Sequence, residues 1–234
     1  MLLSGDDVTQ LVLDLGHRAA FEREDFLVSA SNSEAVGWID RWPNWPGITI
    51  GVNLHGPAAS GKTHLGSVWR SKTQAVWVDK PISSGDLVPG LLGNSRSVLL
   101  DGFSADWSGE PVLHLVNILM ERGGTLLVLS REPLARMDIA PPDLASRLAT
   151  LASAVIRDPD DALLVGVMSK QCRDRQIRVG RDVLIFLVGR MRRSFAEAAR
   201  MVDLLDRVSL SERRPVTLSL ARQLLVRADD QQIG

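Results

Sequence analysis

Ile48-Thr49-Ile50-Gly51-Val52-Asn53-Leu54-His55-Gly56-Pro57-Ala58-Ala59-Ser60-Gly61-Lys62-Thr63-His64-Leu65 is the stretch that decides the fold. Residues 48–54 form a strand-like run, and Gly56–Thr63 matches G-x-x-x-x-G-K-[ST]. A helical pattern follows the loop, so strand, phosphate loop and helix occur in the order this chemistry requires. The glycines let the backbone curl until successive N–H groups face phosphate oxygens. Lys62 then neutralises the β- and γ-phosphates, and the Thr63 hydroxyl is a ligand for Mg²⁺. The start of the following helix directs its positive dipole end at the same anion. A Gly-rich turn with an accidental lysine is the simpler alternative, but the flanking strand and helix weigh against it.

Outward from this loop, short apolar runs alternate with helical stretches as far as about Ile156, which predicts a parallel α/β sheet. The predicted strands are Phe26–Ala30, Ile48–Leu54, Ala75–Val78, Ser97–Leu100 and Thr125–Ser130. Between the last two, Pro111 and Gly123-Gly124 bracket a helix, and Val112, Leu115, Val116 and Leu119 form its apolar stripe. After Asp158-Pro159 the pattern is wholly helical. Leu163, Leu164, Val167 and Met168 mark one helix, and Val183, Phe186, Leu187 and Met191 a second. A third starts at the S-x-x-E box of Ser194 and Glu197, and a fourth after Pro215. The expected organisation is a tail over 1–20, an α/β domain over 21–156 and a helical lid over 157–234.

Composition narrows the function classes. The 234 residues carry 27 Lys+Arg against 28 Asp+Glu, a net charge of −1 that gives no general attraction to nucleic acid. A single cysteine, Cys172, excludes an intrachain disulfide and reads as a lid core residue. The acidic start and the lack of a long apolar run point to a soluble, cytoplasmic protein without a membrane span. His17, His55, His64 and His114 lack metal-ligand spacing. Trp38, Trp42 and Trp45 have no interleaved basic residues and read as local packing.

A second buried strand should end in an acid that helps hold Mg²⁺, and Val98-Leu99-Leu100-Asp101 supplies one. Efficient hydrolysis normally needs a further carboxylate beside it, and here the neighbour is Gly102. Asp106 and Glu110 read as solvated loop charges. The chain is therefore expected to bind nucleotide and to hydrolyse ATP slowly on its own.

With these residues placed, the chain resembles the DnaA-related branch of AAA+ proteins, and within it the Hda type, regulatory inactivators of the replication initiator DnaA. Phe26 to Ala35 is similar to the F-V-x-G-x-S-N-x-x-A segment that lies near base and sugar. Pro142-Asp143-Leu144-Ala145-Ser146-Arg147-Leu148 is similar to the P-D-L-x-S-R-L segment that carries the arginine finger. The resemblance implies a P-loop AAA+ module with a five-stranded parallel sheet and a small helical lid. It also implies bound ADP or ATP with Mg²⁺. Gly56, Pro57, Ala58, Ala59, Ser60, Gly61, Lys62, Thr63 and His64 would hold the nucleotide, with Ser130 at the sensor-1 position and Arg193 at sensor 2. Thr63 and Asp101 would take the metal. Two departures stand out: initiators have paired acids where this chain has Asp101-Gly102, and Ser130-Arg131-Glu132-Pro133 replaces a small polar residue followed by Asp-Arg-Pro.

The same resemblance bears on the tail. Gln10-Leu11-Val12-Leu13-Asp14-Leu15 looks like the Q-L-x-L-x-[LF] peptide that docks on the DNA polymerase sliding clamp. An extended chain would project Leu11, Leu13 and Leu15 to one side, while Gln10 both donates and accepts hydrogen bonds. A first edge strand packed on the domain has the same alternation. Initiators of this branch carry a further helix-turn-helix domain, whereas this sequence stops at Gly234, so DNA contact is expected only indirectly, through the clamp. DnaA and the clamp are thus the expected partners, homo-oligomers are compatible, and association with the nucleoid would follow from the clamp. Arg147 would act in trans on ATP held by DnaA. A self-sufficient AAA+ ATPase or loader, and an adaptor anchoring partners at DNA, are the competing functions.

Overall fold

The computed structural model describes residues 26–47, 49–107, 109–212 and 216–230. Gln10–Leu15, Arg213-Arg214 and Pro215 lie outside them. Five parallel strands, β1 (Gly51–His55), β2 (Val76–Val78), β3 (Ser97–Phe103), β4 (Thr125–Ser130) and β5 (Ala152–Val155), form one sheet in the order β2-β3-β4-β1-β5. Strands β3 and β4 are unbroken apolar runs because helices cover both faces. On one side α1 (Ser33–Arg41) and α2 (Lys62–Thr73) bury Val52, Leu54, Leu99, Leu127 and Leu129. On the other, α3 (Val88–Leu92), α4 (Glu110–Glu121) and α5 (Pro142–Leu148) bury Val98, Leu100, Leu126 and Val128.

Helix α4 follows the sequence expectation closely. Pro111 lies in its first turn, Val112, Leu115, Val116 and Leu119 are its buried residues, and Gly123 takes a left-handed φ of 58° just beyond it. The tryptophans pack locally, as expected. Trp45 stacks on Trp69 of α2 at 6.3 Å, Trp42 meets the same ring edge-on at 6.4 Å, and the Trp45 indole N–H donates to the Trp38 carbonyl.

Phe26–Ala30 is not a strand, which corrects the sequence reading. The Asn32 amide accepts from the Ser29 N–H and donates to the Leu27 carbonyl, and Ser31 N–H bonds the Ser29 hydroxyl. These side chains satisfy the backbone locally, so the segment curls instead of pairing. The fifth strand is β5, which the sequence reading missed. As an edge strand of small residues, Ala-Ser-Ala-Val, it never becomes an apolar run.

Four further helices, α6 (Asp161–Asp174), α7 (Arg181–Val188), α8 (Phe195–Glu212) and α9 (Leu218–Asp230), gather around their own apolar cluster, which includes Leu164, Met168, Cys172, Leu187, Val202 and Leu205. Burial drives the Cys172 thiol up to about 11, so it serves as an inert apolar group. The Asp160 carboxylate caps α6 through the Leu163 N–H, and the Ser194 hydroxyl caps α8 through the Glu197 N–H. The reciprocal half of the capping box is replaced, since Glu197 turns to Arg200 at 2.6 Å. Among the described residues no helix is long and apolar enough to cross a membrane.

Candidate nucleotide site and the arginine face

The loop from Gly56 to Gly61 leaves the end of β1, where the strand order reverses between β4 and β5. Glycine is required at Gly56 because a Cβ there would lie 2.0 Å from the Ile156 carbonyl oxygen. Gly61 takes φ +92° and Ala59 φ 55°, so the backbone turns through left-handed positions before α2 begins. Ser60 is buried, whereas Pro57, Ala58 and Ala59 are exposed. The Lys62 ammonium donates to the carbonyls of Gly56 (2.8 Å) and Pro57 (2.6 Å) within this curl. Burial lowers the Lys62 pKa, Asp101 opposes that shift, and Arg131 adds to it. Arg131 is therefore a second cation facing the loop, one the sequence reading quoted without giving it a role.

Thr63 Oγ1 donates to Asp101 Oδ1 at 3.2 Å, which brings the two expected metal ligands together. Burial raises the Asp101 pKa against the opposing Thr63 hydrogen bond and Lys62 charge. Among the described residues no three His, Cys, Asp or Glu side chains are grouped to hold a metal. Thr63 and Asp101 are the residues that could hold Mg²⁺, an ion commonly bound by one or two carboxylates, waters and the phosphates of its nucleotide.

Gly102 has a structural duty. The β3–β4 register slips between Asp101, opposite Leu129, and Phe103, opposite Ser130. This bulge gives Gly102 a φ of +81° and turns Phe103 into the α4-side core beside Trp107. Space for a side chain exists at Gly102, but an L-residue there would be strained by about 1–2 kcal/mol. Gly102→Glu is therefore expected to lower Tm by a few degrees without raising basal phosphate release to ordinary enzyme rates. A melting curve and a phosphate assay on one preparation check both. Asp106 and Glu110 are exposed, as expected.

Ser130 ends β4 beside the loop, and its carbonyl accepts from the Gly56 N–H at 3.2 Å. Its hydroxyl donates to the Glu132 carbonyl (2.7 Å) and bonds the Asn53 amide nitrogen (2.8 Å). Asn53 also donates to Val128 and accepts from the Leu134 N–H. This buried asparagine, missed in the sequence, ties β1, β4 and the following turn together. A polar residue in the middle of a buried strand was the available signal.

Phe26 and the lid close over the loop. The Phe26 and His64 rings meet edge-on at 5.2 Å, and both Phe26 and Phe195 lie against Gly61. Leu27 touches Gly166 of α6. Arg193, in contrast, makes a two-point pair with the Asp161 carboxylate at 2.7 and 3.1 Å, which lowers the Asp161 pKa. A neighbouring carboxylate therefore accounts for a cation beside the α8 N-terminus.

Arg147 occupies the last turn of α5, whose Leu144 and Leu148 are buried while Arg147 remains half-buried. Its guanidinium donates to the Met120 thioether at 3.1 Å. Among the described residues it has no carboxylate partner.

Residues 161–225 match the family described as Hda, lid domain. The chain is similar in structure to domain III of the Thermotoga maritima replication initiation protein DnaA, with TM-score 0.70 and 19% identity, over 88% of this chain and 96% of that one. AMPPCP-bound DnaA from Aquifex aeolicus gives TM-score 0.67 and 14% identity, over 90% and 70%. The lid segment thus matches the Hda lid model, and the chain shares its fold with these DnaA structures. The fold is shared more widely, since the Thermotoga maritima RuvB Holliday junction branch migration motor matches with TM-score 0.67 and 11% identity over 86% and 70%. The strand order, the phosphate loop and a lid that matches the Hda model occur together in one chain.

Proposed function

We propose that this protein regulates replication initiation by holding ADP or ATP with Mg²⁺ and offering Arg147 to ATP bound on DnaA. The observation that carries this reading is the contrast between its two halves. The nucleotide loop has the close-approach glycine and left-handed turns of a phosphate cradle, with Thr63 and Asp101 joined. Yet the position where initiators keep a second acid is a glycine at positive φ, and Arg147 stands half-buried without a carboxylate partner among the described residues. Similarity to AMPPCP-bound DnaA supports an adenine nucleotide as the guest. The Hda-type lid supports DnaA as the protein acted upon.

In this reading the lid is an ordering device. Nucleotide would hold Phe26 and Phe195 on the loop and keep α6–α9 in place, while consumption of that nucleotide is slow. Residues 1–20 would form a tail whose Gln10, Leu11, Leu13, Asp14 and Leu15 engage the sliding clamp. That tether would raise the local concentration near DnaA on DNA. DNA contact would then pass through the clamp.

Hydrolysis of DnaA-bound ATP, measured with this protein and with or without clamp-loaded DNA, tests the reading. Stimulation that requires the loaded clamp is expected, and replacing both Gln10 and Leu11 with Ala should abolish that stimulation. A self-sufficient ATPase would instead turn over ATP alone. An adaptor would bind duplex in a salt-sensitive way without the clamp.

A further inference from the structure

The carboxylate missing from β3 has a counterpart on the neighbouring strand. Strands β2 and β3 are parallel and in register, with Val78 opposite Leu100, so the next residues, Asp79 just beyond β2 and Asp101 still within β3, fall at neighbouring positions. Adjacent strands lie about 4.8 Å apart. A cavity of about 450 Å³ opens there, lined by Thr63, Ser67, Arg70, Trp77 and Asp79. Thr63, which already donates to Asp101, therefore shares one wall with Asp79.

We propose that Asp79 is a positioning residue for the divalent cation at the nucleotide site, holding cation-bound water from the β2 side while Thr63 and Asp101 hold it from α2 and β3. The inference rests on the nucleotide–Mg²⁺ reading and deepens it. Three observations support it. Asp79 is exposed to the cavity edge and makes no ion pair among the described residues. The one guanidinium lining the cavity, Arg70, lies 5.4 Å from the centre of the Trp77 ring. Asp79 and Asp101 also each follow a member of the register pair Val78–Leu100, so the two carboxylates are neighbours across β2 and β3.

A carboxylate in this place differs in consequence from one at Gly102. It would tighten the cation, and with it the nucleotide, without orienting water toward the terminal phosphate. Outer carboxylates of this type typically change metal affinity by 10–100-fold.

The test uses the full chain and a fluorescent ADP analogue, titrated across Mg²⁺ concentration and in EDTA. Asp79→Asn should raise the Mg²⁺ midpoint of nucleotide binding about tenfold and leave the affinity in EDTA unchanged. Asp79→Glu should restore much of the difference, an outcome that a merely structural role would not give. If wild type binds the analogue and Asp79→Asn titrates with the same Mg²⁺ midpoint, Asp79 has no such role and the nucleotide reading survives. Equal weakening with and without Mg²⁺ also overturns the proposal. If wild type binds the analogue in neither condition, the nucleotide reading falls and the Asp79 role with it.

Discussion

Arg147→Ala should reduce stimulated hydrolysis of DnaA-bound ATP by roughly 10³-fold, the lower end of what a trans arginine contributes to phosphoryl transfer. The expectation follows from where the side chain sits. Helix α5 is anchored by Leu144 and Leu148, fully buried against α4, so its last turn is rigid while the guanidinium remains half-buried. Its hydrogen bond goes to the soft acceptor Met120 Sδ, a weak acceptor easily exchanged for phosphate oxygens. Truncation should leave Tm within about the range of surface changes, ±0.5 kcal/mol, and should leave ADP binding intact. Arg147→Lys keeps the charge but loses the planar donor fork, and is expected to remain strongly impaired. The measurement is single-turnover hydrolysis of ATP preloaded on DnaA, with clamp-loaded DNA present. Hydrolysis retained in Arg147→Ala removes the role.

Lys62→Ala is the second large effect, with loss of about 10–100-fold in nucleotide affinity, corresponding to the 1.5–3 kcal/mol of a charged hydrogen bond. Lys62 already lies in the concavity of the loop, and exchange of the Gly56 and Pro57 carbonyls for phosphate oxygens requires only side-chain rotation. Because nucleotide would bind only the folded chain, the loss would be visible as melting temperature. At a nucleotide concentration 100 times Kd, wild type gains about 2.7 kcal/mol. For a chain of this size that is several degrees, and Lys62→Ala should forfeit about half of it or more at the same concentration. An undiminished thermal shift would show that the loop is not the nucleotide site.

The sheet and its phosphate loop were legible because their signals are local. An apolar run, a curl of glycines and a lysine specify β1, the loop and α2 whatever surrounds them, and the α4 stripe is readable for the same reason. Strand β5 was not legible, because its pairing with β1 is supplied by the sheet and not by its own four small residues. Phe26–Ala30 misled because Ser29 and Asn32, which curl it, act through side-chain hydrogen bonds that periodicity does not register. At the site, Thr63 and Asp101 were placed correctly beside each other from motif alone. Asp79 escaped notice although it follows Val78 as Asp101 follows Leu100, since the register that pairs them exists only once the strands are adjacent. The Arg193–Asp161 pair spans 32 positions and was likewise invisible as a pair.

The slip at Gly102 also bears on how such a protein could change over generations. Gaining an acid at that codon would leave Phe103 and its aromatic neighbour still committed to the opposite layer, so the newcomer would inherit a distorted backbone. Smoothing the strand first would evict Phe103 from its pocket before any catalytic benefit arrived. An acid at position 102 would therefore sit on a backbone shaped for glycine, and the bulge, not one side chain, would have to be rebuilt to seat it.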